Sequence, residues 1–231
     1  MSKHWIRCWA TALALGLFMS TAGAAMTPDQ VAARMRSRMM HLWTVCNLRI
    51  AVTAYPGNAN LDKGAFKQIK VTADSITVSG VKMTQVLMQA QDLVLDIPAL
   101  RTKNDVRVIR RGADKIYARI SEADLNRALT HKKNSIENMR VKLGHGTLVF
   151  TGRYRFGLST SLMLQGRLEA PDGYRINFVP TKAAVGGIPL PATPLRTVLN
   201  RMNPLLNLKS IPLAPRVDRL IVQPGYLTVQ G

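Results

Sequence analysis

The chain has 231 residues, with 32 lysines and arginines against 13 aspartates and glutamates, and a formal net charge of +19 at pH 7. Hydrophobic residues make up 47% and charged residues 19%, which excludes a disordered polyelectrolyte and a membrane protein with many spans. The length suits one domain with a sizeable core. The charge excess indicates an anionic partner, which could be nucleic acid, an anionic membrane surface or an acidic polymer.

Residues 1–25 have the pattern of a cleavable signal peptide. Lys3 and Arg7 precede an uncharged apolar run over residues 8–19, and a small-x-small cleavage site follows at residues 22–24. The run is shorter than the about 20 residues that a membrane span needs. We therefore expect a protein exported to the periplasm or extracytoplasmic cell envelope, soluble or peripheral, with residues 26–231 as a single domain. Export argues against nucleic acid as the partner.

Cleavage would remove Cys8 and leave Cys46 as the only cysteine, so no intrachain disulfide is expected. The neighbours of Cys46 are largely apolar and include no histidine or other base. The sequence therefore predicts that Cys46 is buried in the core.

A capped helix is predicted over residues 27–43. Thr27 suits the N-cap, Pro28 suits the first turn, and Gln30 completes a capping box. Apolar residues at spacings of three and four form one face, and arginines occupy the other side. We favour a face that packs on the core over the alternative of a helix lying on a membrane surface. The apolar residues are Val31, Met35, Met39, Leu42 and Cys46, and the arginines are Arg34, Arg36 and Arg38.

Beyond residue 47 the pattern is mostly that of short β-strands, because apolar and polar residues alternate with a period of two. Further helices are predicted near residues 121–132, where Ser121 suits the N-cap, and near 194–203. The glycine- and proline-rich stretch 185–191 is expected to be an irregular loop. The strand candidates are residues 49–53, 68–72, 75–79, 81–97, 106–111, 115–120, 217–222 and 226–230, the last two joined as a hairpin.

The clearest pattern lies between residues 148 and 178. Three consecutive segments alternate apolar and polar residues, and Pro171-Asp172-Gly173 forms a turn between the second and third. This predicts three antiparallel strands with one apolar face, rich in leucine and aromatic residues. Such a face must be covered by a helix, another sheet or a ligand.

No catalytic or metal-binding motif is found, so the sequence predicts no metal, no cofactor and no catalytic residue. His41, His131 and His145 lack the spacing of metal ligands. Asp92 and Asp96 are the one acidic pair that could share a face, and solvated carboxylates are the simpler interpretation. An enzyme whose site assembles only in the folded chain stays an alternative.

Several segments stand out when they are taken in order: NLRIAVTAYPG at 47–57, GAFKQIKV at 64–71, ISEADLN at 120–126 and PRVDRLIVQPGYLTVQG at 215–231. Together they resemble the LmeA-type family of exported phospholipid-binding proteins. The resemblance covers most of residues 28–231, although this chain is more basic than expected of the family. It implies an α+β fold in which a curved, mostly antiparallel β-sheet wraps two or three helices, similar to tubular lipid-binding modules. It also implies binding of phospholipid acyl chains and a role in envelope lipid metabolism.

On this basis we expect a non-enzymatic phospholipid binder or carrier, with acyl chains in an apolar cavity and cationic residues near the headgroups. The alternative is an exported cationic module that binds an anionic polymer or membrane surface without an internal ligand. The oligomeric state is left open. The predicted acyl contacts, for which core packing is the alternative, are Leu125, Leu129, Phe150, Phe156, Leu162, Leu164, Ile176, Phe178 and Leu199. The predicted headgroup contacts, for which a solvated face is the alternative, are Arg107, Arg110, Arg111, Arg153 and Arg155.

Overall fold

The computed structural model of the protein describes residues 25–131, 136–156, 158–213 and 215–231, so most of the predicted signal peptide lies outside it. Within these ranges the fold is α+β with antiparallel sheets, as expected. The helices are α1 (Pro28–Leu42), α2 (Ile97–Lys103), α3 (Glu122–His131) and α4 (Ala192–Met202). The strands are β1 (Thr44–Cys46), β2 (Arg49–Thr53), β3 (Ala65–Val78), β4 (Val81–Leu95), β5 (Val108–Arg110), β6 (Asp114–Ser121), β7 (Ile136–Leu143), β8 (Leu148–Phe156), β9 (Leu158–Glu169), β10 (Arg175–Val185), β11 (Ile188–Pro189), β12 (Leu206–Asn207), β13 (Arg219–Gln223) and β14 (Tyr226–Gln230).

Helix α1 begins with the predicted capping box. The Gln30 N–H donates to Thr27 Oγ1 at 3.3 Å, and the Thr27 N–H donates to Gln30 Oε1 at 3.0 Å. Val31, Met35 and Met39 are fully buried, which confirms that this part of the apolar face packs on the core, whereas Leu42 at the end of the helix is exposed. The helix ends before Trp43, so the predicted face does not continue through Cys46.

Cys46 is exposed, so the prediction that it is buried was wrong. It ends the short strand β1, which pairs with β3. Because side chains alternate along a strand, the half-buried Val45 faces the core and Cys46 faces outward. The apolar residues next to Cys46 in the sequence do not determine which face of the strand its side chain lies on.

The first sheet has the order β1-β3-β4-β6-β14-β13, with β2 paired to β3 and β5 paired to β4. Strand β3 runs through two segments that the sequence predicted as separate strands, 68–72 and 75–79, because Ala73 and Asp74 resembled a break, whereas β4 lies within the predicted 81–97. Gln85 and Asp92 have φ values of 52° and 47° inside β4, and the register of β4 with β6 shifts just after Thr84. Such bulges bend a strand and increase its twist, which suits a strongly curled sheet.

The second sheet has the order β11-β10-β9-β8-β7, with β12 paired to β10. Strands β8, β9 and β10 confirm the predicted three-stranded pattern. The expected irregular loop at residues 185–191 was wrong, because β10 and β11 form a hairpin. Gly186 and Gly187 have φ values of 57° and 82°, and positive φ at both central residues suits a two-residue hairpin turn.

Helix α2 lies where the sequence predicted the end of a strand. The predicted strand 81–97 ends just before Pro98, but Pro98 occupies the first turn of the helix, where proline is tolerated. Asp96 is the N-cap, and its Oδ1 accepts the Ala99 N–H at 2.9 Å. The three other helices were predicted to within a few residues. Over the described ranges, none of the helices combines the length and apolar character that crossing a membrane requires.

Candidate functional site

Helix α3 connects the two sheets. It follows β6 of the first sheet directly, and its side chains bind the backbone of β7, the edge strand of the second sheet. Asn126 Nδ2 donates to the Val141 carbonyl at 2.9 Å, and Asn126 Oδ1 accepts the Val141 N–H at 2.8 Å. Glu122 Oε2 accepts the Leu143 N–H at 2.7 Å. No local pattern predicts these bonds, because they join residues 15 to 21 positions apart.

An apolar cavity of about 30 Å³ lies beneath α3, between the sheets. Helix α3 contributes Leu125, Ala128 and Leu129 to its lining. Side chains from both sheets and from the segment after α4 complete the wall, and every lining residue is apolar. These remaining residues are Val81, Ile120, Leu227, Val141, Leu148, Phe150, Leu168, Ile176, Leu205 and Leu206.

Four of the nine predicted acyl contacts line this cavity: Leu125, Leu129, Phe150 and Ile176. No single stretch of sequence contains them, and the fold brings them together from α3, β8 and β10. All four side chains also belong to the hydrophobic core or pack against it, which fits core packing, and acyl contact stays a prediction.

Three further predicted contacts lie on the apolar face of the second sheet. Leu162, Leu164 and Phe178 are buried, and the rings of Phe150 and Phe178 meet edge to face at 4.8 Å between centroids. Leu164 is the cross-strand partner of Phe150, so it shares the face that the cavity exposes. Leu199 is half-buried on α4 and packs against the core outside the cavity wall. The side chain of Phe156 lies outside the described part of the structure.

The predicted headgroup arginines are divided between the two sheets. Arg107 and the exposed Arg110 lie at β5 of the first sheet, and Arg107 Nε is 2.7 Å from Asp105 Oδ2. Arg153 is exposed on β8 of the second sheet, where its cross-strand partner is Glu137. The side chain of Arg155 is not described.

Arg111 is a structural residue rather than an exposed cation. Its guanidinium donates to the Leu213 carbonyl and, at 3.1 Å, to Tyr174 Oη. Arg111 Nη1 also lies 3.2 Å from Asp114 Oδ2. The guanidinium therefore ties the end of β5 to the turn before β10, and these contacts compete with any role at a lipid headgroup.

The carboxylates with the clearest electrostatic environment serve the fold. Asp172 Oδ1 accepts the backbone N–H groups of Arg175 at 2.8 Å and Tyr174 at 2.9 Å. These bonds, with that of Arg175 foremost, hold the pKa of Asp172 well below its usual range. The Tyr55 hydroxyl donates to Asp92 Oδ1 at 2.9 Å, and this bond raises the pKa of Tyr55.

The acidic pair singled out in the sequence does not act together. Asp92 accepts the bond from Tyr55, whereas Asp96 caps α2. Each carboxylate thus has a separate structural partner; Asp92 is exposed, as expected of a solvated carboxylate, whereas Asp96 is a half-buried helix cap.

Comparison with known proteins agrees with the resemblance noted in the sequence. The model of the LmeA-like phospholipid-binding family matches residues 19–231, which is nearly the whole chain. Neither the curated proteins nor the solved structures gave a match. Since the match extends through both sheets and all four described helices, the chain belongs to the LmeA-like phospholipid-binding family.

Proposed function

We propose that the protein is an exported phospholipid-binding or lipid-carrier protein of the cell envelope, and not an enzyme. In this proposal residues 1–25 are a cleaved signal and residues 26–231 are one domain. Acyl chains would lie along the apolar face of the second sheet, beginning in the cavity beneath α3. The observation that carries the proposal is this all-apolar cavity, built from both sheets and a helix, in a member of a phospholipid-binding family.

The size of the cavity sets a condition on binding. Its 30 Å³ equals about the share of one water molecule in the liquid. An acyl chain in a bilayer spans half of the hydrocarbon core, about 15 Å. The lining side chains must therefore move apart for a lipid to bind, and Leu164 and Phe178 lie where the cavity would lengthen.

The charge excess suits phosphate headgroups. Of the predicted headgroup contacts, Arg107, Arg110 and Arg153 are exposed, and we propose that Arg153, on the strand that carries Phe150, meets the phosphate at the surface. The role of Arg110 stays a prediction from the sequence. Arg107 and Arg111 are already engaged with Asp105 and Asp114. The role of Arg155 stays a prediction from the sequence.

Identification of bound lipid tests the proposal. Protein produced through the secretory route and purified without detergent should carry phospholipid in native mass spectrometry and in solvent extracts. Ala128→Leu should reduce the bound lipid, because Ala128 is buried in the cavity wall and the larger side chain fills the void. Ala33→Leu makes the same change at an exposed position of α1 and should have no effect.

A clean lipid-free mass under conditions that retain lipid on an established carrier would contradict the proposal. Thermal unfolding of the Ala128→Leu and Ala33→Leu variants shows whether a loss of bound lipid reflects a filled cavity or an unfolded protein. The same preparation also yields the mature N-terminus by intact mass, which tests cleavage of the signal.

The charge excess also favours a second candidate, a cationic module that binds an anionic polymer or membrane surface without an internal ligand. The two differ in their response to salt. Attraction between exposed charges is screened within about 3 Å at 1 M salt, so polymer binding would be lost there. Acyl-chain binding would persist, because burial of apolar surface does not depend on charge. Turnover of labelled phospholipid, abolished by a single polar substitution, would instead support an enzyme.

A further inference from the structure

A second apolar groove, of about 310 Å³, opens at the surface beside the β10–β11 hairpin. It is separate from the cavity beneath α3, and apolar side chains and prolines dominate its lining. Tyr154 and Val185 form its inner wall, and the hairpin and the start of α4 form the rest. These remaining residues are Ile188, Pro189, Leu190, Pro191 and Pro194.

The hairpin presents its apolar residues to solvent. The Gly186-Gly187 turn leads directly into Ile188, whose side chain is 72% exposed. Pro189 follows on the same edge, where it has no N–H to pair. Exposed apolar residues gathered around a groove mark a site that binds a ligand, a membrane or another protein.

The groove and the cavity lie on the same face of the second sheet. Along β8, Phe150 lines the cavity and Tyr154 lines the groove. Side chains four residues apart on a strand share a face and are separated by about 13 Å. The buried Leu162 and Leu164, cross-strand partners of Gly152 and Phe150, occupy the interval. The groove therefore continues the apolar surface proposed for the acyl chain and brings it to the exterior.

The chain segment that forms most of the groove is cationic. Residues 173–217 contain six lysines and arginines and no aspartate or glutamate. Lys182 on β10 and Arg196 and Arg201 on α4 are exposed. In the part of the chain that the structure describes, none of these three forms an ion pair.

Another exposed isoleucine provides a comparison. Ile109 on β5 is 68% exposed and also lies among arginines. However, two of the three arginines at that site, Arg107 and Arg111, already pair with Asp105 and Asp114, which leaves Arg110. The combination of an apolar groove with unpaired cations thus favours the β10–β11 hairpin as the contact with an anionic lipid phase.

We propose that the β10–β11 hairpin and the first turns of α4 dock on the surface of an anionic phospholipid bilayer. Ile188 and the neighbouring prolines enter the interface, and Lys182, Arg196 and Arg201 meet the lipid phosphates. The groove then becomes the place where an acyl chain passes between the bilayer and the inner face of the sheet. This last step rests on the proposed lipid-binding function, whereas docking itself does not.

Tryptophan at the two isoleucine positions tests the orientation. Ile188→Trp should show a blue-shifted emission, quenched by brominated lipids, when vesicles of phosphatidylglycerol and phosphatidylcholine are added. Ile109→Trp is the matched control and should not respond, and the signal of Trp43 in the unsubstituted protein is subtracted from both. An unchanged Ile188→Trp spectrum, or an equal response at position 109, overturns the proposal.

Vesicle flotation measures the contribution to affinity. Ile188→Ser should weaken binding to these vesicles about tenfold, the effect of withdrawing one large apolar side chain from the interface. Ile109→Ser should leave it unchanged. The combined Lys182→Ala, Arg196→Ala and Arg201→Ala variant should lose the preference for phosphatidylglycerol over pure phosphatidylcholine vesicles.

Monomeric short-chain phosphatidylcholine separates docking from the lipid site. Ile188→Ser should bind it as the unsubstituted protein does, which also shows that the variant is folded. If neither protein binds it while flotation behaves as above, the lipid site fails and docking stands. If the unsubstituted protein does not float with any vesicle, docking is overturned, and the groove would instead suit an apolar segment of another protein.

Discussion

The contact between Asn126 and β7 leads to a sharp prediction about stability. Asn126 Nδ2 and Oδ1 bond the carbonyl and N–H of Val141 at 2.9 and 2.8 Å, as a neighbouring strand would. Val141 itself is 4% exposed. Asn126→Ala therefore removes both partners from a buried residue and leaves water little access to replace them.

The magnitude follows from these two bonds. Each contributes about 1 kcal/mol net, and leaving a buried donor or acceptor unpaired costs about 1–3 kcal/mol. Alanine is the better helix former and returns about 0.5 kcal/mol. We expect Asn126→Ala to lower the free energy of unfolding by about 2–4 kcal/mol.

Urea denaturation followed by far-ultraviolet circular dichroism measures this change. Asn200→Ala is the matched control, since Asn200 is exposed on α4. It should change the free energy of unfolding by less than about 0.5 kcal/mol, as is usual for surface substitutions. A loss below about 1 kcal/mol for Asn126→Ala, or a loss equal to that of the control, would refute the proposed role of the side chain in joining helix and sheet.

Three further results are expected. The pKa of Asp172 is lowered in the folded protein, so its carboxylate stabilises the fold above about pH 4, and this contribution is lost as the pH falls further. Asp172→Asn should therefore weaken the dependence of the free energy of unfolding on pH below about pH 4. An unchanged pH dependence would contradict this. Asp92→Asn should lower the pKa of Tyr55 back towards 10.0, seen as a difference in the ultraviolet titration of the tyrosines, because the bond that raises it is weakened. The exposed Cys46 should react with a thiol reagent in the native protein as fast as after unfolding, and protection from the reagent would show that β1 is covered.

The sequence predicted those parts of the fold that depend on local pattern. Alternation along residues 148–178 specified three strands and their shared apolar face, and Thr27 and Gln30 specified the start of α1. Predictions failed where the outcome depended on distant contacts. Asp96 and Pro98 can end a strand or begin a helix, and the packing of α2 against the core decided between them.

The site was predictable in its chemistry and less so in its geometry. Apolar residues at α3, β8 and β10 could be named from their periodicity, and four of them line one cavity. The role of Arg111 could not be predicted, because its partners at Tyr174 and Leu213 lie 63 and 102 residues away. Charge in a sequence does not distinguish a cation that faces solvent from one that joins loops.

The two sheets share no strand pairing in the described ranges, so a large apolar ligand could enter between them without breaking a ladder of strand pairing. Around the cavity they are joined by a few bonds from α3 and by one from the Gly146 N–H to the Val222 carbonyl at 3.0 Å. Separating them there breaks these isolated bonds and leaves both ladders intact. Widening this seam for an acyl chain would thus break these isolated bonds and separate apolar side chains of the shared core, while leaving the backbone pairing within each sheet intact.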